Sequence, residues 1–142
     1  MIHAPQNQCL KNKMRTLALI LTASILTTTL VAARLNPEAH YQKIAVEKYN
    51  GQTEVSMPDG TRCDIVTDTH AIEVDFADKW GVAIGQSLNY AFQSNKRAGI
   101  LLILEKESDE KHLIRVNSII KHFDLPIDVL AIRADLDNVK DN

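Results

Sequence analysis

Apolar positions along this chain keep two different periods. In His70-Ala71-Ile72-Glu73-Val74-Asp75-Phe76, the residues Ile72, Val74 and Phe76 alternate with Glu73 and Asp75. That is the period of a strand with one apolar and one acidic face. Trp80, Ile84, Leu88 and Ala91 recur instead at helical spacing and predict a buried stripe on a helix from about Lys79 to Ser94. Leu113, Val116, Ile120 and Phe123 do the same for a helix opened by Ser108-Asp109-Glu110. From Ile100 to Leu104 the apolar run is unbroken, as in a strand covered on both faces. Pro126 blocks the preceding helix, and Ile127 to Ile132 reads as a last buried strand.

Turn chemistry divides the front half. Asn36-Pro37-Glu38 marks a helix start, with Asn as cap and Pro in the first turn, and Asn50-Gly51 stops that helix after Tyr49. Two strand candidates, Gln52 to Met57 and Thr61 to Thr67, flank the turn Pro58-Asp59-Gly60 and so form a hairpin. A short Asp68-Thr69 link leads to the strand from Ala71 to Phe76. The order is helix, three strands, helix, strand, helix, strand. An antiparallel front and an alternating, hence parallel, back predict an α/β fold with one mixed central sheet flanked by helices.

The first 33 residues stand apart. Lys11, Lys13 and Arg15 precede an apolar run from Thr16 to Ala33 that ends in the small residues Val31-Ala32-Ala33. These are the charged, apolar and cleavage regions of a secretory signal peptide, with Met14 as an alternative start to Met1. The other reading is an uncleaved membrane anchor, against which five threonines in the run count. A single domain over 34–142 follows, periplasmic or secreted, or tethered if the segment is kept. Cleavage removes three of the sixteen basic residues and none of the eighteen acidic ones, leaving a formal charge of −5. That is not the usual footprint of a nucleic-acid binder, although a metal site concentrates acids. Cys9 leaves with the leader, so Cys63 has no disulfide partner within the mature chain and reads as a small buried strand residue. His70, His112 and His122 show no ligand spacing.

The candidate chemistry sits on the acidic strand face. Glu73 and Asp75 lie side by side, and Asp64 on the preceding strand is within reach of both. Crowded carboxylates repel and desolvate one another unless a hard divalent cation compensates. Gln86 and Tyr90, four apart, share one helix face.

Element order and these residues together resemble the PD-(D/E)XK nuclease superfamily, most nearly its RecB-like branch, over about Pro37 to Ile132. The resemblance implies a restriction-endonuclease-like αβββαβαβ core and a Mg²⁺- or Mn²⁺-dependent nuclease acting on DNA or RNA. Asp64, in Arg62-Cys63-Asp64-Ile65-Val66, matches the metal-binding Asp of the family's second core strand, and Glu73 matches the Glu of its third. The Val74 carbonyl would complete the metal shell. Gln86-Ser87-Leu88-Asn89-Tyr90 matches a helical motif on the substrate side, and Glu47 could match an acid that some members carry on the first helix. Asp75 stands where the motif has Lys. Lys79 is the substitute that could orient the attacking water, and Asp75 could be an extra metal ligand. The alternative is a nuclease-fold binding or structural protein of the cell envelope that does not turn over.

Overall fold

The computed structural model of the protein describes residues 33–134. The expected leader, apart from Ala33, and the tail beyond Ala134 lie outside them. The elements are α1 (Glu38–Tyr49), β1 (Gln52–Ser56), β2 (Arg62–Val66), β3 (His70–Phe76), α2 (Trp80–Ser94), β4 (Arg97–Leu104), α3 (Glu110–Phe123) and β5 (Ile127–Arg133). Single 3-10 turns, Ala77–Lys79 and Glu107–Asp109, lead into α2 and α3. Among the described residues no helix is long and apolar enough to cross a membrane.

The five strands form one mixed sheet in the order β1-β2-β3-β4-β5. β1, β2 and β3 pair antiparallel, and β3, β4 and β5 pair parallel. The expected parallel pairing of the Ile100 and Ile127 strands is therefore present, with Ala98 opposite Ile127 and Ile103 opposite Ile132. Both parallel crossovers step the same way across the sheet. Right-handed connections in one direction place their helices on one face, and the two cores agree. Tyr41 and Ala45 of α1 pack on Ile65, Ile72, Val74, Phe76, Leu101 and Ile103. The stripe Trp80, Ile84, Leu88 and Ala91 of α2, together with Leu113, Val116 and Ile120 of α3, covers the opposite face over Ile100, Leu102 and Leu104.

Several boundaries differ from expectation for local reasons. No side chain caps α1, whose cap position is Pro37, so Asn36 does not play that part. The left-handed residue that ends α1 is Asn50, at φ 51°, not Gly51. α2 and α3 end in the same way, on Asn95 and Asp124, since short amide and carboxylate side chains tolerate that conformation. β4 begins at Arg97, three residues before the apolar run that starts at Ile100, because β3 already pairs from His70 with Arg97 onward. Phe123 is 66% exposed and leaves the α3 stripe. Arg133 belongs to β5 and Ala134 is buried, so the last strand runs further than the apolar run alone suggests.

Gly99 marks the tightest approach within the sheet. A Cβ there would meet Cγ1 of Ile72, its partner on β3, at 2.9 Å. Gly99→Ala is expected to cost roughly 1–3 kcal/mol through overpacking, read as a lower urea midpoint at unchanged slope.

The N-terminal strap fixes where α1 begins. Arg34 Nη2 donates to both Asp78 oxygens, at 2.7 and 2.9 Å, and its guanidinium lies 4.0 Å over the Phe76 ring. Glu105 Oε1 accepts from the Leu35 N–H at 2.8 Å and the Tyr41 hydroxyl at 3.1 Å. These contacts tie the first turn of α1 to the ends of β3 and β4.

Candidate metal centre

β2 and β3 hold their ladder only at Ile65–Ile72 and Val66–Ala71. One step further, Asp64 stands opposite Glu73, and the strands begin to part. The Val74 N–H donates to Asp64 Oδ2 at 2.7 Å, so a side-chain carboxylate takes the place of a ladder carbonyl. Glu73 and Asp75 are each only 5% exposed. Strand alternation sends Ile72, Val74 and Phe76 into the α1 core and turns Glu73 and Asp75 to the other face.

The buried acids are satisfied unequally. Asp75 Oδ1 accepts from the Phe76 N–H at 2.8 Å and from Lys79 Nζ at 2.9 Å. Glu73 Oε2 is buried and has no hydrogen-bond partner. Burial pushes the Glu73 carboxyl up to about 9, and the charges of Asp64 and Asp75 add to the shift. Asp64 is also raised, by burial first, against the pull of the Val74 N–H that holds its charged form. Near neutral pH, then, Glu73 keeps a proton, and the pair with Asp64 is placed to share it. Oxygen-only donors suit a hard ion such as Mg²⁺ or Mn²⁺.

The remaining candidates fall out as follows. Lys79 ends the 3-10 turn rather than opening α2, and its stem reaches back over the strand end to Asp75, whose carboxylate raises the ammonium pKa through their hydrogen bond. That engagement turns Asp75 toward Lys79. Among the described residues no three His, Cys, Asp or Glu side chains are grouped to hold one ion, so Asp64, Glu73 and Asp75 do not form the shared three-carboxylate site expected of them. Val74 contributes its N–H, to Asp64. Gln86 and Tyr90 lie on one flank of α2, and Gln86 is close enough to pull the Tyr90 hydroxyl pKa down. Tyr90 is buried against Met57, Cys63 and Ala71, and burial raises its hydroxyl pKa, with Glu73 and Asp64 adding to the effect. Its ring thus backs the carboxylate pair. Cys63 is free and buried, with its thiol pushed up to about 12 by burial.

Glu47 is exposed on the far side of α1 and does not join the site. Nine residues earlier, half a helical period out of phase, Glu38 does. Its carboxyl is raised by burial first and then by Asp64 and Asp75, and it acts in turn on Glu73. Gln42, one turn on and buried, donates to Glu38 at 3.2 Å. Glu54 also bears on Asp64 and is held at φ 55°, a left-handed conformation that costs a non-glycine residue energy. The signal that could have found Glu38 is the spacing Glu38, Tyr41, Gln42, Ala45, one helix face that is half polar.

Cavities of about 580, 440 and 490 Å³ lie toward the starts of β3, β4 and β5, and none of these is lined by Asp64, Glu73 or Asp75. The chemistry favours the carboxylate pair over these spaces, because the unpartnered buried oxygen, Glu73 Oε2, lies there. Fold and site together define a mixed α/β domain with a buried carboxylate pair at the parting of two strands. Comparison with family models, curated proteins and solved structures finds no match to this chain.

Proposed function

We propose that this protein is an exported, Mg²⁺- or Mn²⁺-dependent nuclease of the PD-(D/E)XK type with a restriction-endonuclease-like core. The observation that carries the reading is the buried, partnerless Glu73 Oε2 opposite Asp64, with the Lys79 ammonium gathered by the neighbouring Asp75. Asp64 and Glu73 would hold the cation, with the Val74 carbonyl beside them. Bound there, such an ion supplies charge to a phosphate and acidifies a water. Lys79, pinned by Asp75, keeps a fixed positive charge beside the pair that can offset charge developing on the phosphate. Gln86, half-buried on α2, would face the substrate side with the buried Tyr90 behind it, and Glu38 adds an acid from α1.

A second reading keeps the fold without turnover, as a binding or structural protein of the cell envelope. The Lys79–Asp75 ion pair favours it, because an ammonium committed to a carboxylate is less available to water. Incubating the purified protein with DNA and RNA in Mg²⁺, Mn²⁺ or EDTA separates the two. Cleavage is expected only with a divalent ion and is lost in Glu73→Gln. No cleavage of either polymer under any divalent ion would leave the non-catalytic reading.

A further inference from the structure

Most cations of the domain are spoken for. Arg34, Arg62, Lys79, Arg97 and Arg133 pair with carboxylates, Lys96 donates to the Asp68 carbonyl, and Lys48 lies over the Tyr49 ring. Among the described residues Lys43, Lys106, Lys111, Arg115 and Lys121 have no such partner. Three of those five stand on α3. Its inward row, Leu113, Val116 and Ile120, is used up in the core. Its outward row is Lys111, Ile114, Arg115, Ser118, Lys121 and His122, all exposed. The one acid on the helix, Glu110, bonds Arg133 at 2.7 Å. α3 also packs against the 3-10 turn that carries Lys79.

We infer that the outer face of α3 is a contact surface for the phosphate backbone of nucleic acid, carrying the strand away from the carboxylate pair. This rests on the nuclease reading. Its outward row carries three cations and no acid, the complement of a polyanion, and of the acids that lead into the helix Glu105 and Asp109 accept from the backbone N–H groups of Leu35 and Glu105. From Lys111 to Lys121 the row spans about 15 Å at 1.5 Å per residue, several phosphates of a strand at about 3.4 Å each. A lipid surface fits less well. Membrane-lying helices insert a wide apolar face, whereas Leu113, Val116 and Ile120 of α3 are taken up in the core and only Ile114 and, at its end, Phe123 are exposed large apolar side chains of the helix.

The test is binding of a fluorescent single-stranded oligodeoxynucleotide in EDTA, without cleavage, across a salt series. Each neutralised phosphate of a single strand contributes about 0.7 to the slope of log affinity on log salt. The variant K111A/R115A/K121A is expected to show a slope shallower by about 2 and binding weaker by roughly 100-fold at about 0.1 M salt. K43A/K106A, which removes the other two unpaired cations, should leave the slope unchanged. The substituted side chains are exposed, and an unaltered thermal melt verifies the fold. An unchanged slope in the triple variant, with wild-type binding intact, overturns this inference and spares the nuclease reading. Wild-type protein that binds no oligonucleotide overturns both. Wild-type protein that binds phosphatidylserine vesicles through these residues, and no oligonucleotide, overturns the choice of partner.

Discussion

Glu73→Gln is expected to stabilise the domain, increasingly so as pH rises. Folded, the Glu73 carboxyl keeps its proton up to about 9, whereas in the unfolded chain it releases it near 4.5. Between those values the native state binds more protons than the unfolded state, so its stability falls as pH increases. The slope approaches 1.4 kcal/mol per pH unit for one fully shifted group. Glutamine keeps the shape, does not ionise and brings an N–H₂ that can donate to Asp64. Urea unfolding at about pH 5 and pH 8 should therefore show wild-type losing several kcal/mol while the variant loses far less. Equal losses in the two proteins would mean that Glu73 ionises without penalty, and the buried pair would have no energetic content. The same substitution should abolish divalent-ion binding. In the wild type that binding should tighten by about tenfold per pH unit below 9, because the ion displaces one proton.

Lys79→Ala carries the second large effect, and it has two parts. Asp75 is buried and would keep only the Phe76 N–H. Removing one partner of a fully buried pair costs about 3–5 kcal/mol. Lys79 is 52% exposed, so a loss of about 1–2 kcal/mol is expected once screening is allowed for. Under the nuclease reading, turnover falls by roughly 10²-fold, as when one charge-stabilising donor is lost, while metal affinity holds. Adding Asp75→Asn to Lys79→Ala should restore stability and leave turnover low, which separates the structural part from the chemical one. Full turnover in the single variant would remove Lys79 from the catalytic reading.

Periodicity made most of the architecture readable. Strict alternation around Ile72 and the unbroken run from Ile100 impose which face each strand buries, and the helix between Leu104 and Ile127 forces a parallel return. What escaped was set by groups distant in sequence. Ala98 and Gly99 lie outside the apolar run from Ile100, and β3 draws them into the ladder opposite Ala71 and Ile72. Phe123 kept the right spacing, yet as the last residue of α3 it is left exposed. Within the site, the face of β3 and the helical pair Gln86 and Tyr90 followed from local period alone. The choice of Glu38 over Glu47 did not, because it depends on the rotational phase of α1, and the strap from Arg34 and Glu105 fixes where that helix starts. Nor could spacing tell that Asp75 would turn to Lys79, since a carboxylate and an ammonium at i and i+4 suit a helix surface and a strand end equally well.

The short β2–β3 ladder makes the sheet two cooperative blocks of unequal strength. β3, β4 and β5 are zipped continuously, from His70–Arg97 to Phe76–Ile103 and on to Leu104–Arg133. Within the sheet the β1–β2 hairpin joins that block by two register pairs and the Asp64–Val74 bond, while Met57 and Cys63 pack on Tyr90 and Asp59 bonds Asn89 and Gln93 of α2. Partial opening follows the weakest seam, and here the seam runs between Asp64 and Glu73. Whatever bridges those two carboxylates, a proton or a divalent ion, also rivets the hairpin to the body. Amide exchange at the hairpin would then report occupancy of the site, and its slowing would signal that the site is filled.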